Sequence, residues 1–183
     1  MTKAQLTVLA GPTAVGKGTV VAALTKHYPT LKVSVSATTR DPRPGELNGV
    51  HYYFVSPQEF DAMIERGDML EWALVHGKNK YGTPRGPVDE ALNAGHPVLL
   101  EIDLAGARQV RANRPDAQFI FLAPPSWEEL ERRLIGRGTE GPEEQARRLA
   151  TARVELQAAS EFDHVVINDD VERAVDELAR LIG

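Results

Sequence analysis

The chain contains no cysteine, which excludes disulfides and thiolate metal sites and agrees with a reducing compartment. No apolar stretch reaches membrane-spanning length, and the opening residues, MTKAQLTVLAG, lack the long apolar core of a secretory signal. A soluble cytoplasmic protein is therefore expected. Positive charge is not in excess either: the formal net charge is −5 and the pI is near 5.6. Non-specific binding to nucleic acid or an anionic membrane rewards a basic surface, so neither is an expected partner. A local basic pocket for a phosphorylated small molecule stays compatible with that total. Internal repeats, low-complexity tracts and long linkers are also missing, which leaves no boundary between independent domains. What is present is 183 residues, 42% of them hydrophobic, enough for one compact domain with a substantial core.

Short apolar runs alternate with longer helical patterns, the signature of an α/β domain built on a mostly parallel sheet flanked by helices. Strands are predicted at 6–10, 32–36, 97–103, 118–123 and 164–168. Several are apolar throughout, as strands covered on both faces are. Helices are predicted at 18–28, 104–113, 126–136, 142–159 and 170–182. Ser126 with Glu129 forms a capping box, and Pro142 suits a first helical turn. Two stretches break the alternation. Residues 37–95 carry the segments VHYYFV and MLEWALV around a short helix and read as a small, largely antiparallel insertion. Residues 132–149, RRLIGRGTEGPEEQARRL, read as two helices joined by a glycine-rich, arginine-studded turn, a mobile lid. The core is then 1–36, 96–131 and 150–183 of one domain.

GPTAVGKGT, residues 11–19, follows the first strand and opens the first helix. Gly11, Gly16 and Lys17 satisfy the first part of the G-x-x-x-x-G-K-[ST] phosphate-loop pattern. Gly11, Pro12, Thr13, Ala14, Val15, Gly16, Lys17, Gly18 and Thr19 are thus candidate ATP-binding residues. Glycines permit the turns that aim N–H groups inward, and a helix N-terminus adds partial positive charge. Lys17 would reach the β- and γ-phosphates. Gly18 stands where a magnesium-binding hydroxyl is usual, and Thr19 offers the next one. Mg²⁺ gives up its waters reluctantly, so it can be held mainly by ATP phosphates and water, with Thr19 and Asp103 acting indirectly. The missing hydroxyl speaks against a switch-type GTPase, in which it is a central part.

A phosphate loop does not name the acceptor. Arg40 and Arg43 lie three apart in a loop stiffened by Pro42 and Pro44. Two guanidiniums suit a dianionic phosphate, and Tyr52 and Tyr81 could add phenolic donors. Read alone, the same arginines are better taken as ordinary solvated loop charges.

At this point the chain closely resembles the guanylate kinases, which move the γ-phosphoryl of ATP onto GMP. The resemblance runs through GPTAVGKGT, SATTRDPRPGE, GVHYYF, LEWALVHG, YGT, LEIDLAGARQVR, FLAPPSWEELERRLIGRGTE, RLATARVEL and VVIND, nearly the whole chain. It implies a GMP-binding insertion at 37–95 and a transferase, expected to accept dGMP as well, serving purine nucleotide metabolism. By resemblance, Ser36, Arg40, Arg43, Glu46, Tyr52 and Tyr81 bind GMP, and Glu71 and Thr83 read its guanine. Guanine presents adjacent N1–H and N2–H donors to a carboxylate and O6 to a hydroxyl. Adenine would put an acceptor against Glu71, and unpaired polar groups discriminate strongly. Without the resemblance, Glu71 beside Trp72 is as readily a strand-edge surface charge. Where relatives often have a shorter link before YG, this chain carries KNK, residues 78–80.

Asp103 ends the third core strand, where ligands bind in open α/β sheets, and the resemblance places it near GMP and magnesium-bound phosphates. Glu101 stands where relatives often have another acid, and suits a helix-capping or supporting role. In the lid, Arg133 and Arg137 are four apart on one helical face and Arg148 lies on the next helix. With Lys17 and Asp103 they are the candidate catalytic residues, bringing positive charge to the transferring phosphoryl group and excluding water. Arg137 and Asn168 match positions lining the family's adenine site. No general base is required, because the acceptor is already an anionic oxygen. Two other readings stay open: a decayed, protein-binding kinase-like domain, and a kinase acting on a phosphorylated sugar.

Overall fold

The computed structural model describes residues 4–136 and 140–183. Its elements run β1 (Leu6–Ala10), α1 (Lys17–His27), β2 (Lys32–Val33), β3 (Ala37–Thr38), β4 (Tyr53–Phe54), α2 (Pro57–Glu65), β5 (Met69–Val75), β6 (Asn79–Pro84) and α3 (Arg85–Asn93). They continue as β7 (Val98–Glu101), α4 (Leu104–Asn113), β8 (Gln118–Ala123), α5 (Trp127–Ile135), α6 (Pro142–Gln157), a 3₁₀ turn (Ala158–Glu161), β9 (His164–Ile167) and α7 (Val171–Ile182).

The main sheet is parallel throughout, in the order β2-β7-β1-β8-β9. Side chains alternate across its central strands because the strand period is two. Leu9, Leu99, Ile120 and Leu122 face α1 and α7, packing on Leu24, Val175 and Leu178. Leu6, Val8, Val98, Leu100 and Phe119 face the other way, onto Ala107 and Val110 of α4 and Val88 of α3. Apolar cover on both faces explains why β1 and β8 read as continuous apolar runs.

The second sheet has the order β4-β3-β6-β5. It is mixed: β3 pairs antiparallel with β6 and β5 with β6, while β3 and β4 are parallel. It carries a small core of Phe60, Met69 and Ala37 with Trp72 against it. Leu70 of its edge strand and Val88 of α3 belong instead to the main-sheet core, so the insertion is tied to the domain through β5 and α3.

Helix ends follow their sequence signals. Ser126 accepts a hydrogen bond from the Glu129 N–H at 3.1 Å, and Pro142 stands in the first turn of α6. α5 and α6 pair through Leu130, Leu134 and Ala152, with the Arg153 guanidinium 4.1 Å from the centre of the Trp127 ring. α6 turns 3₁₀ at Ala158, which ends it two residues before the predicted 159.

Candidate active site

β1 ends in the main sheet's centre, and the chain must leave it sharply before α1. A Cβ on Gly11 would stand 2.4 Å from the Leu122 carbonyl oxygen, so only glycine fits there. Ala14 (φ 69°) and Gly16 (φ 96°) take left-handed turns that curl the backbone into a cup. The Lys17 ammonium crosses it to the Gly11 carbonyl at 3.1 Å. Burial lowers the Lys17 pKa, while Glu101, Glu155 and Asp103 act against that shift. The Val15 carbonyl receives two side-chain donors: Asn168 Nδ2 at 2.8 Å and an Arg133 terminal nitrogen at 3.2 Å. Thr19 is exposed at the start of α1, and nothing lies within 4 Å of where a Gly18 Cβ would stand. The hydroxyl after the lysine is therefore missing without being crowded out.

In the loop that leaves β3 of the mixed sheet, Arg40 and Glu46 form a two-pronged pair, 2.9 and 3.0 Å, and Glu46 also accepts the Arg43 backbone N–H at 2.7 Å. The Arg40 and Arg43 contacts hold the Glu46 carboxyl down at about 2, and Glu46 in turn raises the Arg40 pKa. Arg40 lies 5.2 Å from the centre of the Tyr52 ring, which meets Tyr81 edge-on at 6.0 Å. One carboxylate thus orients the Arg40 guanidinium beside Tyr52 and ties down the Arg43 backbone. Ser36 stands just before β3, its carbonyl accepting the Tyr53 N–H at 2.8 Å.

Glu71 lies opposite Thr83 in the β5–β6 pairing, and the buried Thr83 hydroxyl donates to Glu71 Oε1 at 2.7 Å. The hairpin turns at His76 (φ 52°) and Gly77 (φ 64°), with the Lys78 N–H on the Val75 carbonyl. Two consecutive left-handed residues match the strand twist. KNK therefore closes a tight turn and starts β6 without displacing Tyr81 or Thr83 from Ala73 and Glu71. A Cβ on Gly82 would meet the Glu71 carbonyl at 2.6 Å, which accounts for the glycine in YGT. Burial raises the Glu71 pKa, Thr83 opposes it, and the Asp103 charge adds to it.

Sequence reasoning missed what fixes Glu71. Gln109 of α4 exchanges two hydrogen bonds with the Trp72 backbone, 3.0 and 2.9 Å, and Asn113 Nδ2 donates to the Leu70 carbonyl at 2.9 Å. The backbone on each side of Glu71 is clipped to the core helix. Nothing marks Gln109 or Asn113 locally, since both look like ordinary polar helix residues. Asp103 caps α4, accepting the Gly106 N–H at 2.7 Å with Oδ1. It sits between the halves: its charge is felt by Lys17 on one side and Glu71 on the other. Glu155 was also missed. It comes from α6 to face Lys17 and Asp103, and its Oε1 is the one buried side-chain polar atom without a partner among the described residues.

The lid's Arg148 pairs with Glu140 at 2.8 Å and, with Thr13 and Thr151, lines a cavity of about 320 Å³ over the loop. Arg133 reaches both Glu129 and the loop. Arg137 lies outside the described residues. A separate cavity of similar volume, walled by Val33, Tyr53, Pro84 and Val88, lies at the junction of the two sheets and away from these groups.

A five-stranded parallel sheet whose first strand opens into a lysine-bearing glycine loop, with Arg133 of α5 reaching that loop, defines a phosphate-loop kinase. The guanylate kinase family model matches residues 3–183. A guanylate kinase of Leifsonia xyli subsp. xyli is 62% identical over 177 residues, spanning 97% of this chain and 70% of that protein. One from Thermobifida fusca is 61% identical over 179 residues, covering 98% and 91%. The crystal structure of guanylate kinase from Anaplasma phagocytophilum matches with a TM-score of 0.74 at 32% identity, covering all of this chain and 86% of that one. A shikimate kinase from Bacteroides thetaiotaomicron, at 14% identity and TM-score 0.51 over 97% of this chain and 98% of that one, shares the fold alone. The chain belongs to the guanylate kinase family. No helix among the described residues is long and apolar enough to cross a membrane.

Proposed function

We propose that the chain phosphorylates GMP, and dGMP as well, from ATP, with the phosphate loop as donor site and the mixed sheet as acceptor site. The observation that carries this is the buried Glu71–Thr83 pair across β5 and β6, with the Arg40–Glu46 clamp in the loop that leaves β3 of the same sheet. One pair suits guanine and the other a monophosphate. Tyr52 and Tyr81 complete the phosphate end, with Arg43 reaching in from the loop and Ser36 at the sheet's entry. Glu46 serves the GMP site by holding the Arg40 guanidinium and the Arg43 backbone in place, so less freedom is lost at Arg40 on binding.

In the transfer, a GMP phosphate oxygen bonds to the γ-phosphorus as the bond from that phosphorus to the ADP oxygen breaks. No protein nucleophile or base is needed, because the attacking oxygen is an anion. The N–H groups of Gly16 through Thr19, at the start of α1, and the Lys17 ammonium hold the donor phosphates, while the Val15 N–H is spent on the Pro12 carbonyl and Pro12 has none. Arg133, Arg137 and Arg148 supply charge as the lid closes, and closure excludes water that would hydrolyse ATP. Arg137 is the candidate for the adenine end.

Among the described residues no three His, Asp or Glu side chains converge to hold a metal. That donor set fits a magnesium ion arriving on ATP, with the exposed Thr19 hydroxyl and the Asp103 carboxylate holding its water shell. When bound, the ion neutralises phosphate charge. Absence of cysteine suits a cytoplasmic setting. The test is ADP formation from ATP with GMP, AMP, CMP and UMP in turn. Turnover with GMP far above the others is expected; equal rates with AMP and GMP would overturn the reading.

A further inference from the structure

Asn168 follows β9 at the carboxyl edge of the main sheet. Its backbone N–H is fixed to the Ala123 carbonyl at 2.8 Å, and only 5% of the residue is exposed. A side chain so enclosed has little surface left for a nucleotide. Its amide nitrogen donates to the Val15 carbonyl at 2.8 Å, and it packs so tightly that a Cβ on Gly16 would stand 2.9 Å from it. Gly16 is thus excluded from carrying a side chain by its φ of 96° and by Asn168 together.

The Val15 carbonyl and the Gly16 N–H belong to one peptide unit. A trans peptide is planar, with its C=O and N–H pointing in opposite directions, and the described chain has no cis bond. Drawing the Val15 oxygen toward Asn168 therefore turns the Gly16 N–H away from the core, to the side of the cup. That N–H donates to no protein group among the described residues. Val15 itself is fully buried in the core, so packing sets where this peptide lies, and the amide sets which way it faces.

We infer that Asn168 is a positioning residue for the donor phosphates: by holding the Val15 carbonyl it aims the Gly16 N–H at ATP's phosphates. This rests on the phosphate-loop reading above and assigns Asn168 to the phosphates instead of the adenine. Arg133 shares the same carbonyl at 3.2 Å. It also pairs with Glu129 at 3.4 Å, however, so it is not committed to that carbonyl. Asn168, enclosed between β8 and the loop, is the donor that stays.

The two assignments separate by using a ligand with no base. Inorganic tripolyphosphate, ATP and GMP are titrated calorimetrically into the full chain and into Asn168→Ala, with unfolding midpoints measured alongside. Loss of one oriented hydrogen bond predicts about tenfold weaker binding of both tripolyphosphate and ATP, with GMP binding unchanged within about twofold. Asn168→Asp should lose more, since a carboxylate would repel the Val15 oxygen. If Asn168→Ala unfolds, Asn168→Ser retains a donor, and a smaller loss confined to the same two ligands is expected. Weaker ATP binding with tripolyphosphate unaffected would overturn the inference in favour of adenine. Equal losses for GMP, or no loss at all, would overturn it too. Failure of the unaltered chain to bind tripolyphosphate would instead overturn the phosphate-loop reading itself.

Discussion

Glu71→Gln separates stability from function with opposite signs. Among the described residues, the carboxylate's hydrogen-bond partner is the Thr83 hydroxyl on Oε1 at 2.7 Å. Glutamine keeps an oxygen for Thr83 but puts an NH₂ where Oε2 stood, so a donor faces guanine's donors. Losing a charge-assisted bond of about 1.5–3 kcal/mol and gaining a donor–donor contact should lower kcat/KM for GMP by roughly 10²-fold or more. The empty protein should become more stable by on the order of 1 kcal/mol, because a half-buried charge with one hydroxyl partner is removed. Burial raises the Glu71 pKa, so the folded state binds this proton more tightly than the unfolded state. The cost of the native carboxylate therefore grows as pH rises from the ordinary glutamate value through the raised one. The stability gained by glutamine should appear over that window and vanish in acid. In the unaltered chain, KM for GMP should climb as pH falls through the same window. Urea unfolding across pH and a coupled assay with GMP and AMP measure both effects. A variant that keeps both its GMP efficiency and its preference over AMP would refute guanine reading by Glu71.

Glu46→Ala should raise KM for GMP by about tenfold and leave KM for ATP unchanged, since it frees the Arg40 guanidinium and the Arg43 backbone without touching the phosphate loop; both constants rising together in initial-rate assays would contradict this. Because Glu46 is held at about 2, its contribution to stability should be complete above the ordinary glutamate value and decline as pH falls from there through about 2, read by urea unfolding of the native chain and Glu46→Ala. Gly18→Ser meets no neighbour within 4 Å, so it should fold normally and sustain activity at lower magnesium than the native chain, read from rate against metal concentration; lost activity at saturating magnesium would show that nucleotide needs the space. Lys17→Ala should collapse turnover by about 10²-fold or more while calorimetric GMP affinity holds; loss of GMP binding first would put Lys17 in the acceptor site.

The legible parts of the fold are those whose signal is local. β1 and β8 are bounded as predicted because both faces of each are covered by apolar helices. β2 is shorter than the predicted 32–36, as the chain leaves the main sheet after Val33 to enter the insertion. β6 was missed because NKYGTP is polar and glycine-bearing, and its pairing is decided by β3 and β5 on either side. α3 was missed because Gly86 and Pro87 read as breakers. They fall in its first turn, where proline's missing N–H costs nothing, and Val88 anchors it. At the site, Gly11, Gly16 and Lys17 announce themselves by spacing. Gln109, Asn113 and Glu155 do not, since each acts on a backbone or charge that only the fold brings near. VVIND drew attention to Asn168, whereas its hold on Val15, 153 positions away, leaves no mark in the sequence.

Direct transfer between two half-sites, without a protein-bound phosphoryl group, is tested most plainly by initial rates with ATP and GMP varied together. Reciprocal plots that intersect are expected, because both substrates must occupy the loop and the Glu71–Arg40 sheet at once. Parallel lines, the pattern of a phosphorylated enzyme formed before GMP binds, would contradict it.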